Sequence, residues 1–354
     1  MRVGILTQPF LRNYGGILQN WALQQTLQQL GHDPLTLEHD TCCSRTRWLM
    51  RSTKMLMQKR SVARLPEFPY KGRIGHHPFV DFIDSHIKSA AVSRFSPHIE
   101  RRHHCQAMIV GSDQVWRPVF NQGWLYNMYL DFTSPETKRI AYAASFGVSN
   151  WEYSKEETMR CRELAQHFHA VSVREDKGIA LCRRHLGIEA TMVSDPTLLL
   201  DEDDYKALCA NIPEDEKFML IYALHLDKRF IELANDIAKK HSLRVRILQA
   251  GNDLQPDDSI EKWIASFRDA QYVVTDSFHG IALSIIFNKP FLAFSNETGG
   301  QQRIASLLSQ YGLSDRAVEE HNNLMTKDID WETLNTKRKE MKASSIAFLT
   351  NALA

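Results

Sequence analysis

Short runs rich in β-branched and apolar residues alternate along this chain with longer runs whose apolar positions recur every three or four residues. The first kind reads as buried strand and the second as amphipathic helix, and their alternation predicts parallel sheets with helices on both faces. The chain opens with a strand at Arg2–Thr7. A glycine turn follows at Gly15-Gly16, then a helix over Ile17–Leu30 that Gly31 stops. Further strands are expected at Ala107–Gly111, Arg139–Ser145 and Ala170–Arg174, with a helical run at Tyr153–Phe168 before the last. A second series then begins: strand Phe218–Leu224, helix Phe230–His241, strand Arg244–Gln249, helix Ile260–Ala270, strand Tyr272–Asp276, helix Gly280–Phe287 and strand Pro290–Phe294. The tail, Trp331–Ala354, has helical spacing.

Two series of this kind predict an α/β protein of two Rossmann-like domains facing across a cleft. The expected division is 1–200 and 201–330, with the tail 331–354 packing back on the N-terminal domain. The boundary is placed near Asp195–Asp204, where Asp-Pro precedes an apolar run and an acidic cluster. In open α/β sheets ligands bind beyond the carboxyl ends of the strands, so polar residues just after strands are the candidates for function.

Composition narrows the picture only a little. The 354 residues suffice for two cores, and 43% hydrophobic with 24% charged residues is ordinary for a folded chain. A formal net charge of +1 gives no support to nucleic-acid binding. Six scattered cysteines without a CxxC pair suit reduced thiols, and no metal-ligand cluster is visible, so no metal and no cofactor are expected. The apolar opening is too short for a signal-peptide core, and no run approaches the roughly 20 apolar residues that span a bilayer. A cytoplasmic location follows as the expectation. The stretch 45–102 breaks the pattern: Arg45, Arg47, Arg51, Lys54, Lys59, Arg60, Arg64, Lys71 and Arg73 face few acids. It reads as a solvated basic helical insertion, or as a surface for peripheral contact with anionic membrane or an anionic polymer.

Four segments carry candidate chemistry. In Asp276-Ser277-Phe278-His279-Gly280 a strand runs into a helix, so Ser277, His279 and Gly280 sit at a helix N-terminus. Free N–H groups and the helix dipole attract anions there, and His279 adds a group that can transfer a proton near neutral pH. The plainer reading is a capped helix and a satisfied histidine. Arg174 ends the Ala170 strand and brings a guanidinium, suited to carboxylate or phosphate, to the cleft mouth; a surface or interface pair with Glu175 is the plainer reading. After Gly111 come Ser112, Asp113, Gln114 and Trp116, a carboxylate, an amide and an aromatic face that suit a sugar, with Asp113 also a candidate base. A turn with a packed tryptophan is the alternative. The Asn13–Gln19 segment also follows a strand and opens a helix, so it can line the cleft, but it lacks dinucleotide-type glycine spacing, and close backbone packing is the plainer reading of Gly15 and Gly16. Arg303, early in the helix after Gly299-Gly300, reaches an anion or solvent.

Taken together, Asn13–Gln19 (NYGGILQ), Gly111–Trp116 (GSDQVW), Ser172–Glu175 (SVRE) and Asp276–Gly280 (DSFHG) resemble the polysaccharide pyruvyl transferase family, over Val3 to about Val318. The resemblance implies a GT-B-like fold, with the acceptor on the N-terminal side and the donor on the C-terminal side. It implies transfer of a pyruvyl group from phosphoenolpyruvate, as co-substrate, to sugar hydroxyls of a surface polysaccharide or its lipid-linked precursor; the basic segment 45–102 adds the expectation of a peripheral place at the inner face of the membrane that presents the acceptor. Arg174, Ser277, His279, Gly280 and Arg303 would then bind the donor, with His279 as general acid. Asn13, Tyr14, Asp113, Gln114 and Trp116 would meet the glycan or lipid-linked oligosaccharide acceptor. The family often carries an arginine two residues before the motif histidine; this chain has Ser277 there, which leaves Arg303 as a compensating cation.

Two other readings stand beside this one. A nucleotide-sugar glycosyltransferase of the same fold commonly holds its donor with a glutamate early in the helix after the C-domain turn, and Gly280–Phe287 contains no acid. An inactive scaffold or assembly protein of polysaccharide biosynthesis would suit the Ser277 departure, against which stand Arg174 and His279.

Overall fold

The computed structural model describes residues 1–10, 13–39, 79–92, 95–215, 217–226, 228–249, 258–294, 301–318 and 328–354. Its strands are β1 (Arg2–Leu6), β2 (Asp33–His39), β3 (Ser89–Val92), β4 (Ala107–Val110), β5 (Lys138–Ala144), β6 (Ala170–Val173), β7 (Thr191–Met192), β8 (Phe218–Ala223), β9 (Arg244–Gln249), β10 (Tyr272–Thr275), β11 (Phe291–Phe294) and β12 (Ala317–Val318). The principal helices are α1 (Tyr14–Gln29), α2 (Val80–His86), α3 (Lys155–Ala165), α4 (Lys228–Lys240), α5 (Ile260–Asp269), α6 (Phe278–Ile286), α7 (Gln301–Tyr311) and α8 (Trp331–Leu353).

The strands form two sheets, with orders β3-β2-β1-β4-β5-β6-β7 and β12-β11-β10-β8-β9, and neighbouring strands pair in parallel throughout. Central strands β4 and β8 are buried at every residue. That is why their sequences are unbroken apolar runs, for a parallel strand covered on both faces has no solvent side to mark with polar residues. The arrangement is α/β and GT-B-like: two Rossmann-like sheets whose carboxyl ends meet at one cleft.

Each sheet reverses direction at one point, between β1 and β4 in the first and between β8 and β10 in the second. A crevice opens at such a reversal because successive connections leave on opposite faces. Both crevices face the same cleft.

One core joins the two sheets. Tyr14, Ile17, Leu18 and Trp21 of α1, with Phe79 and Phe82 at α2, pack in one buried cluster with Trp263 and Phe267 of α5 and Ile281 and Ile285 of α6. The helix α8 crosses between the halves. Leu334 near its start lies in that shared core, and Leu349, Ala352 and Leu353 near its end pack with Val3, Ile5 and Tyr142 of the first sheet.

The basic residues Arg45 to Arg73 of the expected insertion lie outside the described residues. The remainder of that segment is not helical throughout, because Ser89–Val92 forms the edge strand β3. Among the described residues no helix is long and apolar enough to cross a membrane.

Candidate active site

A cleft of about 730 Å³ lies where the carboxyl ends of the two sheets meet. The first half supplies Gln8 after β1, Asn13 and Gly15 at the start of α1, His39 at the end of β2, and Asp113 and Gln114 after β4. The second supplies Leu224 and His225 after β8, Ser277, Phe278 and His279 between β10 and α6, and Arg303 from α7.

The turn from β10 into α6 is fixed by short-range bonds. Ser277 is the N-cap, in extended backbone, and its side chain accepts from Gly280 N–H at 3.4 Å. Asp276 accepts the N–H groups of Leu224 (2.6 Å) and His225 (2.9 Å), tying the ends of β10 and β8 together, and burial raises its carboxyl above the usual range. Gly280 serves close packing: a Cβ there would lie 2.3 Å from Thr275 Oγ1 and 3.0 Å from Tyr222 Cδ1. Its amide is committed to the cap and it contributes no cleft surface.

His279 faces the cleft but is 93% shielded from solvent, with 7% exposed. Nε2 is buried without a hydrogen-bond partner and lies 3.9 Å from Asp195 Oδ1. Burial drives the imidazole pKa down, Asp195 draws it back, and Arg174 opposes protonation again, so that it settles at about 4. The resting side chain is therefore neutral at pH 7. Arg303 Nε is also buried without a partner, and burial with the nearby Arg174 charge lowers its pKa to about 10, leaving it cationic at neutral pH. The position two residues before His279 holds a capping serine; the cation that reaches this wall comes from α7.

Arg174 lies behind the cleft wall and not at its mouth, which corrects the strand-end expectation. It is 3% exposed. Nη1 donates to Asp195 Oδ2 at 2.8 Å, Nη2 to Asp113 Oδ1 at 3.5 Å, and the guanidinium lies over the Phe278 ring at 4.7 Å. Burial opposes its charge, and Asp195, Asp113 and Glu175 outweigh that effect. Its part at the cleft is indirect, through Phe278 above it and Asp113 beside it.

Trp116 and Tyr14 also require correction as sugar-facing side chains. Trp116 is fully buried, stacked on Tyr129 (centroids 5.2 Å apart, 7° between planes), and its Nε1–H donates to Met128 O at 3.1 Å. A large aromatic whose polar edge is satisfied inside the core gains more from burial there than at a wet surface. Tyr14, 3% exposed, packs between Phe79 (4.4 Å) and Trp263 (4.9 Å) and lines a separate cavity of about 300 Å³. Asn13, Asp113 and Gln114 do line the cleft.

Three residues to which the sequence assigned no role at the site support it. Asp195 holds Arg174 and faces His279. It also accepts from Ser112 Oγ (2.7 Å) and from Thr197 N–H (3.0 Å) and Oγ1 (2.8 Å). Burial alone would raise its carboxyl, and Arg174 and His279 outweigh this to hold it below the ordinary range. Its one sequence signal is the Asp-Pro pair. Gln19 binds Thr7 Oγ1 and Ser112 N–H, locking α1 to the loops after β1 and β4. Gly15 lets α1 approach His279, since a Cβ there would sit 1.9 Å from Nδ1.

The model of a family described as polysaccharide pyruvyl transferase matches residues 13–298. No curated protein matches the chain. Among solved structures, Arabidopsis thaliana UGT89C1 complexed with UDP-L-rhamnose is 10% identical with a TM-score of 0.49, covering 99% of this chain and 98% of that one. UDP-GlcNAc 2-epimerase from Neisseria meningitidis bound to UDP-GlcNAc is 9% identical with a TM-score of 0.48, covering 100% and 99%. The E. coli heptosyltransferase WaaC with ADP is 11% identical with a TM-score of 0.38, covering 98% and 99%.

Proposed function

Since this chain belongs to the polysaccharide pyruvyl transferase family, we propose that it transfers a pyruvyl group from phosphoenolpyruvate to sugar hydroxyls of a surface polysaccharide or its lipid-linked precursor. The observation that carries the reading is the pairing, on one cleft wall, of two buried nitrogens without partners: Nε of the cationic Arg303 and Nε2 of His279. Buried polar nitrogens left unpaired cost stability, so a wall that keeps two of them, one on a cation, suits an anionic ligand. The first turn of α6 adds N–H groups and the positive end of its dipole.

In this reading Arg303 and the start of α6 hold the phosphate and carboxylate of the donor. His279, neutral at rest, takes up a proton when that anion arrives, because negative charge nearby favours imidazolium. It then protonates the methylene carbon of the donor, and the adjacent carbon becomes an oxocarbenium-like centre. A sugar hydroxyl attacks, its proton passing to Asp113 across the cleft. The C–O bond to phosphate then breaks, re-forming the cationic centre, and a second hydroxyl attacks it to close the ketal, its proton returning to the imidazole of His279. Arg174 and Asp195 hold the ring of Phe278 and the carboxylate of Asp113 in place. The site residues Asn13 and Gln114 lie on the acceptor side.

The test is donor choice followed by turnover. Phosphoenolpyruvate should raise the melting temperature, and phosphate should be released only when a glycan acceptor is present. His279→Ala should lower that rate by about 10²-fold or more. Stabilisation by UDP- or CMP-sugars but not by phosphoenolpyruvate would replace this reading with nucleotide-sugar glycosyl transfer. Binding of neither donor would favour a scaffold role. We also propose a cytoplasmic protein that meets its acceptor peripherally at the inner membrane face. Sedimentation with vesicles containing anionic lipid, compared with neutral ones, tests that placement.

A further inference from the structure

We infer that the segment Phe120–Trp124, on the rim of the cleft, is the platform for an uncharged glycosyl unit of the acceptor. This rests on the pyruvyl-transfer reading for the word acceptor, though not for the binding itself.

The two walls of the cleft differ in chemistry. The wall around His279 and Arg303 is built for anions. Beyond Asp113, the opposite wall turns to neutral amides and aromatic rings: Gln8, Gln114, Phe120, Gln122 and Trp124. Phe120 is 49% exposed, one of few large apolar side chains so displayed among the described residues. The guanidinium of Arg117 lies 5.2 Å from its ring and is already held by Glu152 and by Gln114 Oε1. Trp124 is backed by His39 at 4.9 Å, and its indole N–H makes no hydrogen bond with a described residue. The amide of exposed Gln122 is likewise uncommitted.

This wall is rigid beneath. Asn121, fully buried, donates to the carbonyls of Val115 and Arg117, each at 2.9 Å, and accepts from Gln8 Nε2 at 3.0 Å. The backbone that carries both rings is therefore held before any ligand arrives, which reduces the ordering cost of binding. A pyranose has one face of C–H bonds and a rim of hydroxyls. Aromatic faces suit the first, and planar amides with an indole N–H suit the second. Among the described residues of this wall the guanidinium, Arg117, is already paired with Glu152, which makes the wall a poor match for a phosphate or a nucleotide.

Saturation-transfer NMR with a panel of neutral gluco-, galacto- and manno-oligosaccharides tests the platform without any donor. Wild-type protein should bind at least one of them. Trp124→Ala and Phe120→Ala should weaken that binding by about tenfold each, while Trp124→Phe keeps part of it. Stabilisation by phosphoenolpyruvate should be equal in all four proteins. No response from wild type to the whole panel, or equal binding by the alanine variants, would overturn the platform. Loss of sugar binding in the variants, without any stabilisation of wild type by phosphoenolpyruvate, would support the platform and defeat the pyruvyl-transfer reading instead.

Discussion

A methyl group on Gly15 would lie 1.9 Å from Nδ1 of His279. The first turn of α1, from the first sheet, thus touches the imidazole carried by the second. Gly15→Ala should displace His279 without disturbing either sheet, because both residues lie at the cleft and not within a strand. Turnover should fall by about 10²-fold, as misplacement of a reacting group by an ångström commonly costs. The melting temperature should change little. Retained turnover in a folded variant would mean that the position of His279 does not matter to the reaction.

Asp195 joins the two halves from below, at 2.8 Å from Arg174 Nη1 and 3.9 Å from His279 Nε2. Removing one partner of a buried pair strands the other charge, at a cost of about 3–5 kcal/mol. Urea unfolding of Asp195→Asn should show a loss of that order. Adding Arg174→Met should recover part of it, since the stranded guanidinium is then gone. Additive losses in the double variant would show that the pair is not coupled.

The periodic elements were legible from the chain because burial on both faces writes them as unbroken apolar runs. Those expectations fell within a few residues of the observed strands β1, β4, β5, β8 and β10, and also of β9, an edge strand whose arginines alternate with apolar residues. Strand β2 was not expected: Pro34 breaks its donor pattern, a signal that ordinarily demotes a strand, yet β2 pairs on both sides. The strands β7 and β12, of two residues each, are too short to show a period. Helix α1 starts earlier than expected because Gly15 and Gly16 read as a turn while they serve close packing in its first turn, and α6 starts two residues before the expected Gly280 because Ser277 caps it. In the site, the strand-end rule brought out His279 and Asp113. It could not tell that Trp116, three residues beyond Asp113, turns into the core. Nor could it see Asp195, whose partners Arg174 and His279 lie 21 and 84 residues away in the chain.

The imidazole of His279 gives stability a particular pH dependence. Its folded value of about 4 lies below the value of about 6.5 expected of the unfolded chain. The unfolded state therefore binds the proton first as pH falls. Stability linked to His279 is complete above about pH 6.5, declines as pH drops toward about 4, and then levels off. The gap corresponds to about 3 kcal/mol at most. Subtracting the stability of His279→Gln from that of wild type, by urea titration between pH 4 and 7, isolates this component. Asp276, whose raised carboxyl acts in the opposite sense, is common to both proteins and cancels. Donor binding should carry the complementary signature: calorimetry at pH 6 in buffers of different ionisation enthalpy should report net proton uptake of up to about one per donor bound. A wild-type minus variant difference that stays flat with pH would place the histidine outside the buried environment described.

Trp116 offers the sharpest contrast between packing and ligand contact. It is fully buried, stacks on Tyr129 and satisfies its indole N–H internally. Trp116→Ala should cost about 3–5 kcal/mol, the range for emptying a large aromatic site in a packed core. Trp116→Phe keeps ring packing but leaves Met128 O without its donor, so an intermediate loss is expected. Neither variant should alter saturation transfer to a neutral oligosaccharide under conditions where it remains folded. The comparison is between urea midpoints and carbohydrate signal, measured on the same preparations. A Trp116→Phe protein of near wild-type stability that had lost the carbohydrate signal would return this side chain to the ligand.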